Sequence, residues 1–439
     1  MNNKNSNRRR DFLKTSALAT GGLILQPWNI AGAYAAGTDE IKLAVIGCGG
    51  RGTGAVFQAF ETGHNIKLVA MADAFRDRID KSHQPMLDKY GADKVDVPEE
   101  RKFVGFDAYK EAIKLADVVI LAAPPGFRPD HFEESVKQGK QIFMEKPVAT
   151  DATGIRRVLA AAEEAKNKKL NVVVGLQRHY QDNYRETIKR IHDGQIGDIV
   201  GGQVYWNDGG VWVNARQPGQ TEMEYQMRNW YYFNWLCGDH IVEQHVHNID
   251  VANWVKKGHP VKAYGTGGRQ VRTGKEHGEI FDHHSVTFTY DDGTVIFSEC
   301  RHFPGAANRV DESFQGTNGS VFLSAGNHGT LKDRSGKELY NHPRENNPNP
   351  YQVEHDELWA AVVNGEYKFA DAENAAHSTM TSILGRYATY SGKVVTWDEA
   401  INSEINLMPE TLAWDAKPKI LPNEDGYYPY AIPGKSKVF

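Results

Sequence analysis

Lys42-Leu43-Ala44-Val45-Ile46-Gly47-Cys48-Gly49-Gly50-Arg51-Gly52 decides the fold of this chain. The first five residues are a short run of strand formers. Three glycines in the order GxGxxG follow at once, and a helical apolar pattern then runs through Ala55, Val56, Ala59 and Phe60 to Gly63. A second strand, residues 66–72, ends in Asp73. Strand, glycine turn, helix, strand and acid in that order spell a dinucleotide-binding unit. The residue types follow from the chemistry. Gly47 permits the tight turn, Gly49 lets backbone amides approach a pyrophosphate, and Gly52 lets the helix sit close to the sheet. The helix start offers unpaired N–H groups and a positive dipole end to the phosphates. Asp73 stands where a carboxylate accepts hydrogen bonds from ribose hydroxyls and repels a 2′-phosphate, so NAD is expected over NADP. Arg76 and Arg78 nearby keep NADP open.

Outward from this unit, residues 117–123 form an unbroken apolar run, the mark of a parallel strand buried on both faces. Pro124-Pro125-Gly126 ends it, a helical stretch covers residues 130–137, and Gln141-Ile142-Phe143-Met144 runs into Glu145-Lys146-Pro147. A charged pair directly after a buried strand lies at the carboxyl edge of the sheet, where open α/β folds bind ligands. Pro124, Glu145 and Lys146 are therefore expected at the dinucleotide, with Gly47, Gly49, Gly52 and Asp73.

The order GxGxxG, acid after the second strand, Ala-Ala-Pro-Pro after the fourth, then Glu-Lys-Pro resembles the glucose–fructose oxidoreductase and inositol dehydrogenase (Gfo/Idh/MocA) family. Val172-Val173-Val174-Gly175-Leu176-Gln177-Arg178 resembles the strand opening that family's second domain. Asp193-Gly194-Gln195-Ile196-Gly197, Gly316-Thr317-Asn318-Gly319 and Ser391-Gly392-Lys393-Val394-Val395 also fit. The resemblance implies an α/β protein: an N-terminal Rossmann domain, then a C-terminal α/β domain with an open, mainly antiparallel sheet, in chains that often form homo-oligomers. The sequence agrees independently. Residues 199–206, 261–266, 285–290 and 294–300 are strand-like, with Asp291-Asp292-Gly293 as a hairpin turn. Helical patterns lie at 185–192, 242–255 and 353–363.

The resemblance also implies a catalytic set. Lys146 contacts the reacting hydroxyl, where a cation stabilises developing alkoxide. Glu243, His247 and Asp250 align with an aspartate, a histidine and an aspartate of a family helix, whose three glycines are here Cys237-Gly238-Asp239. On one helix Glu243 and His247 stand at i and i+4, so Glu243 is expected to orient His247 as the base that takes the hydroxyl proton. Asp250, Arg178, His179 and Arg228 are expected at the substrate. His240, Glu243, His245 and His247 are ligand types, but their spacing matches neither H-E-x-x-H nor H-x-x-E-H, and no metal is expected. Aromatic residues crowd 205–235; ring faces stack on sugars, though core or subunit packing explains most of them.

The chain has 439 residues, 40% apolar and 24% charged, with a formal charge of −5. That gives no electrostatic case for nucleic-acid binding, and three cysteines make no disulfide framework or zinc motif. Arg8-Arg9-Arg10-Asp11-Phe12-Leu13-Lys14, a mildly apolar run and Ala33-Tyr34-Ala35 resemble a twin-arginine export signal, with Arg8 where Ser or Thr is usual. A periplasmic or otherwise exported protein is expected, with no membrane span in the mature chain. The domains read as signal peptide 1–35, dinucleotide domain 40–165, substrate and oligomerisation domain 166–400 with a helical return over the nucleotide domain at 350–400, and tail 401–439. Since free NAD is scarce outside the cytoplasm, the cofactor is expected to be tightly retained. The leading expectation is an NAD-dependent oxidoreductase acting on a secondary alcohol of a sugar, glycoside or polyol. The alternatives are a glycoside hydrolase or lyase using bound NAD in a redox-neutral cycle, and a non-catalytic carbohydrate-binding protein.

Overall fold

The computed structural model describes residues 40–439; the expected signal segment lies outside the described residues. Six strands form a parallel sheet: β1 (Ile41–Ile46), β2 (Ile66–Asp73), β3 (Lys102–Val104), β4 (Val118–Leu121), β5 (Gln141–Met144) and β6 (Val172–Val174). Their order is β3-β2-β1-β4-β5-β6. The chain winds one way from β1 and the other way from β4, so a crevice opens between the carboxyl ends of these two strands. β4, as its apolar run dictates, is buried at every position.

Two expectations need correction here. Val172–Val174 pairs in parallel with β5 and completes the first sheet, so that sheet extends past residue 165. The segment 350–400 does not lie over the nucleotide domain as one piece. The helix Pro350–Val363 packs on the helix Gly50–Glu61, but Ala372–Ser391 packs between the helix Ala152–Asn167 and the second sheet. Seventeen of the twenty residues of Ala372–Ser391 are buried, which is why its pattern lacks a polar face.

The second sheet has nine strands: β7 (Ile199–Asp208), β8 (Lys262–Gly268), β9 (His283–Thr289), β10 (Val295–His302), β11 (Arg309–Gly316), β12 (Gly319–Ser324), β13 (His328–Asp333), β14 (Glu338–Asn341) and β15 (Val395–Thr396). Their order is β14-β13-β12-β11-β7-β10-β9-β8-β15. The sheet is antiparallel except at β7 and β10, which run parallel. β9 and β10 form the expected hairpin through Asp291-Asp292-Gly293, with Gly293 at φ 84°. One face packs against the helices Asp182–His192, Val246–Lys256 and Ala372–Ser391. Cross-strand register places Tyr264, Thr287, Phe297, Gln203, Ser313 and Phe322 in a row on the other face. Residues 402–439 contain no helix or strand; Trp414 packs on Phe75 and Phe106 of the first domain, and Tyr428 packs on Phe233 of the second.

Candidate active site

A cavity of about 720 Å³ opens at the carboxyl ends of β1 and β4, where the strand order reverses. Gly47, Gly49, Asp73, Pro124, Glu145 and Lys146 all line it. Gly47 holds φ 95°, and a Cβ there would come within 2.4 Å of the backbone of residues 122 and 123. A Cβ on Gly49 would meet no protein atom within 4 Å, because it would project into the cavity. That glycine therefore keeps the backbone open to a ligand rather than to protein packing. Gly49 caps the helix Gly50–Glu61 without a side-chain hydrogen bond, so the helix start presents free amides to the cavity. These features fit a dinucleotide pyrophosphate.

Gly52 lies behind this lining. A Cβ on it would stand 2.0 Å from the Gly47 carbonyl oxygen, a backbone atom that cannot swing away. Gly52→Ala should therefore spread the turn and abolish dinucleotide binding, with a loss of stability of about 1–3 kcal/mol from overpacking. Fluorescence titration with NADH and a thermal melt check this; unchanged binding would mean the turn does not carry the phosphates.

The Asp73 carboxylate accepts from the Cys48 amide at 2.8 Å and the Phe75 amide at 2.9 Å, which ties β2 to the glycine turn. Burial pushes its pKa up, against these two hydrogen bonds. Arg78 lines the cavity. Arg76 is drawn away to Asp80 and Glu99. Phe75 and Phe106 also line the cavity and are backed by Trp414 of the tail, at ring distances of 4.9 and 4.6 Å.

Arg51, unremarked in the sequence beyond its place in the glycine motif, reaches from the turn to the Glu145 carboxylate. It also pairs with buried Glu354 at 2.9 Å and lies over the Tyr351 ring at 4.9 Å. A Cβ on Gly175 would stand 2.7 Å from the Glu145 carboxylate, so glycine there makes room for the pair. Burial raises the Glu354 pKa well above the carboxylate range, against the nearby Arg51. One guanidinium thus joins the glycine turn, the Glu-Lys-Pro segment and the helix Pro350–Val363.

At the other end of the cavity the expected pairing of Glu243 with His247 is corrected. The helix expected over 242–255 breaks: one short helix ends at Glu243, and the next begins at Val246. The break frees the Glu243 carbonyl, and the Lys146 ammonium donates to it at 2.6 Å and to the Glu243 carboxylate at 3.0 Å. Glu243 therefore anchors Lys146, not His247. An ammonium has three N–H donors, so one is left for a ligand oxygen.

His247 lines the same cavity, with its ring against Trp206 at 5.9 Å. Its buried Nδ1 has no hydrogen-bond partner among the described residues. Burial, then Lys146, Arg178 and Arg51, hold its pKa well below the ordinary imidazole value. A neutral imidazole beside an ammonium is a proton acceptor placed next to an oxyanion stabiliser.

The four expected substrate residues lie elsewhere. Arg178 is buried and ion-paired with Glu312, which also accepts from Tyr184 at 2.9 Å and Asn248 at 2.6 Å. His179 pairs with Asp250 at 2.7 Å and stacks on Trp254 at 4.1 Å. Asp250 also accepts from Ser378 at 2.8 Å and Asn374 at 3.1 Å, so it joins the helices Val246–Lys256 and Ala372–Ser391. Arg228 pairs with Asp77 at 3.1 Å and lies over Phe75, which clamps residues 222–228 to the first domain. None of the four lines the cavity. Of the aromatic crowd, Trp206, Trp212 and Trp230 face the cavity, and Tyr225, Tyr231, Tyr232, Phe233 and Trp235 form a buried cluster. Gln177, Asn214 and Gln244, which sequence reasoning missed, add polar groups to the wall.

The histidine-rich segment is split as well. His240, Asp239 and His284 bring ligand-type atoms within 4.8 Å of one another, in a buried cluster outside the cavity lining. Asp239 already accepts from the His240 ring at 2.9 Å, from the Phe281 amide at 2.9 Å and from the Tyr390 hydroxyl.

Known proteins share this architecture. Residues 41–174 match the oxidoreductase family with an NAD-binding Rossmann fold, and residues 184–322 match the GFO/IDH/MocA C-terminal domain. An inositol 2-dehydrogenase from Rhizobium meliloti is 26% identical over 223 residues, 51% of this chain and 57% of that protein. A scyllo-inositol 2-dehydrogenase (NAD(+)) from Bacillus subtilis is 22% identical over 296 residues, 67% of this chain and 75% of that protein. The chain spans little more than half the length of the first of these relatives. Among solved structures, the aldose-aldose oxidoreductase from Caulobacter crescentus superposes with a TM-score of 0.61 at 17% identity, covering 82% of this chain and all of that one. A levoglucosan dehydrogenase in complex with NADH and levoglucosan gives a TM-score of 0.63 at 14% identity, covering 82% of this chain and 99% of that one. The two matched segments together take up more than half of the sequence, and the chain belongs to the GFO/IDH/MocA oxidoreductase family.

Proposed function

We propose that this protein is an exported NAD-dependent oxidoreductase acting on a secondary alcohol of a sugar, glycoside or polyol. One observation carries the reading: Lys146 and a neutral His247 line the same cavity as Gly47, Gly49 and Asp73. NAD, when bound, supplies a hydride acceptor. His247 takes the proton of the substrate hydroxyl, and Lys146 holds that oxygen as it gains negative charge. Glu243 fixes the ammonium through two hydrogen bonds. Trp206, Trp212 and Trp230 offer flat apolar surface to C–H faces of a sugar ring, and Asn214 and Gln177 offer polar groups to its hydroxyls. Glu145, held by Arg51, keeps the Glu-Lys-Pro segment against the glycine turn. The experiment is a panel of polyols, aldoses and methyl and nitrophenyl glycosides added to NAD-loaded protein. Absorbance rising near ~340 nm marks oxidation. Release of nitrophenol without it marks the redox-neutral cleavage reading, and neither signal would leave a carbohydrate-binding role.

Tight cofactor retention is part of this proposal. The tail supports it: Trp414 backs Phe75 and Phe106 at the Asp73 end of the cavity. Trp414→Ala should speed NADH release about two- to ten-fold, the worth of lost aromatic pairs, in stopped-flow displacement. An unchanged release rate would remove the tail from the account. Export through the twin-arginine pathway to the periplasm and assembly into homo-oligomers complete the proposal. The first rests on residues 8–35, and the second on Tyr264, Val295 and Phe322, which stand 50%, 44% and 38% exposed on the open sheet.

A further inference from the structure

Gln244 sits on the cavity wall between Glu243 and His245, at the break between the two helices. Its side-chain oxygen is engaged from behind. Oε1 lies 2.6 Å from His302 Nε2. His302 is 2% exposed, and its neighbours leave its ring no choice of tautomer. The Arg272 guanidinium reaches His302 Nδ1. A guanidinium has donors and no acceptor, so Nδ1 must accept, and in a neutral ring Nε2 then carries the hydrogen. Asp208 gives the same answer independently, because its carboxylate, an acceptor, lies 3.4 Å from Nε2. Burial, then His240 and Arg272, keep the ring neutral by holding its pKa far below the ordinary value. Arg272 is itself fixed, since it donates to the Phe281 carbonyl at 2.5 Å.

The polarity therefore runs one way. Arg272 donates to His302, and His302 donates to Gln244 Oε1. The Gln244 amide must then turn its –NH2 group to the cavity, where it makes no hydrogen bond among the described residues. The chemistry of the partners, not the drawn position of N and O, fixes this orientation. Glu243 and His247 on either side supply acceptors, and Lys146 supplies the reacting oxygen's donor.

We infer that Gln244 is a specificity-determining residue, locked by Arg272 and His302 as a hydrogen-bond donor, which takes an acceptor oxygen of the sugar or polyol beside the reacting carbon. This rests on the proposed function for the class of ligand. It favours substrates with an oxygen at that neighbouring position and disfavours deoxy analogues, which leave the cavity-facing amide unpaired.

The test uses the NADH-loaded protein and three probes, myo-inositol, levoglucosan and methyl β-D-glucopyranoside, each with its deoxy and O-methyl derivatives at the positions next to the oxidised carbon. Binding is read by tryptophan quenching on that protein, and turnover by NADH formation on NAD-loaded protein. For the probe bound best, Gln244→Leu should weaken binding about 2–10-fold, the net worth of one hydrogen bond at a half-buried group. Gln244→Glu should keep the parent hydroxyl compound and reject its O-methyl derivative, because a carboxylate with His302 on its other oxygen accepts from a hydroxyl but meets an ether oxygen as one acceptor meets another. NADH affinity should not change in either variant. Wild-type protein should keep an O-methyl derivative that can only accept, lose the deoxy one, and lose this preference in Gln244→Glu. In 15N spectra of histidine-labelled protein, His302 should read as the Nε2–H tautomer, a signature that a merely structural role for Gln244 would not connect to ligand choice. Equal binding of all derivatives by wild type and Gln244→Glu, or an Nδ1–H ring, overturns the inference while leaving the oxidoreductase reading intact. Gln244-dependent binding without NAD reduction overturns that reading and upholds the inference. Failure of every probe to bind overturns both.

Discussion

Lys146→Ala should lower turnover by at least about a hundred-fold, the usual effect of removing one donor from a developing oxyanion. The geometry argues for an effect on the chemical step and not on loading. Lys146 Nζ is tethered to the Glu243 carbonyl and carboxylate, and one of its N–H groups remains for the substrate oxygen. NADH affinity depends on the glycine turn and Asp73 at the other end of the cavity, so it should change little. The variant also leaves the Glu243 carboxylate, which is 13% exposed, without its cation, so the melting temperature should fall as well. Steady-state kinetics, NADH titration and a thermal melt on one preparation separate these effects. Full activity with a lowered melting temperature would make Lys146 a structural lysine.

His247→Asn should cost about 10²–10⁴ in kcat/KM, the range for a general base, again with NADH still bound. The wild-type pH profile carries a second, signed expectation. Burial and the cations Lys146, Arg178 and Arg51 all disfavour the imidazolium form. The imidazole pKa is therefore depressed, the ring stays neutral as pH falls through its ordinary value of 6.5, and the base remains competent there. Activity should be lost only at more acidic pH, so the acid limb of log kcat/KM should lie below 6.5 in wild type and disappear in His247→Asn. A limb at or above 6.5, or one that persists in the variant, would assign the base to another group.

The first domain was legible because its signals are local. The run before Gly47, the GxGxxG spacing and Asp73 each report their own backbone, and Glu145-Lys146-Pro147 follows a strand whose carboxyl edge is the ligand edge. The hairpin at Asp291-Asp292-Gly293 is legible for the same reason. The second half of the site was not, because partners far away in sequence decide it. The apolar spacing of Val242, Val246 and Ile249 reads as one helix, and nothing in it shows that Lys146, 97 residues earlier, takes the Glu243 carbonyl at the break. Arg178 follows a strand of the first sheet, but Glu312, 134 residues later, draws it into the core. Arg51, Gln244 and Trp414 owe their places to Glu354, His302 and the rings of Phe75 and Phe106, and no short-range spacing encodes those meetings.

The central claim is that a dinucleotide lies across the glycine turn with its reactive end at Lys146 and His247. Energy transfer from the cavity indoles, Trp206, Trp212 and Trp230, to added NADH tests it most directly. The account predicts saturable transfer at one NADH per chain, displaced by NAD and abolished by Gly52→Ala. Folded protein that carries no dinucleotide and shows no transfer with added NADH would contradict it.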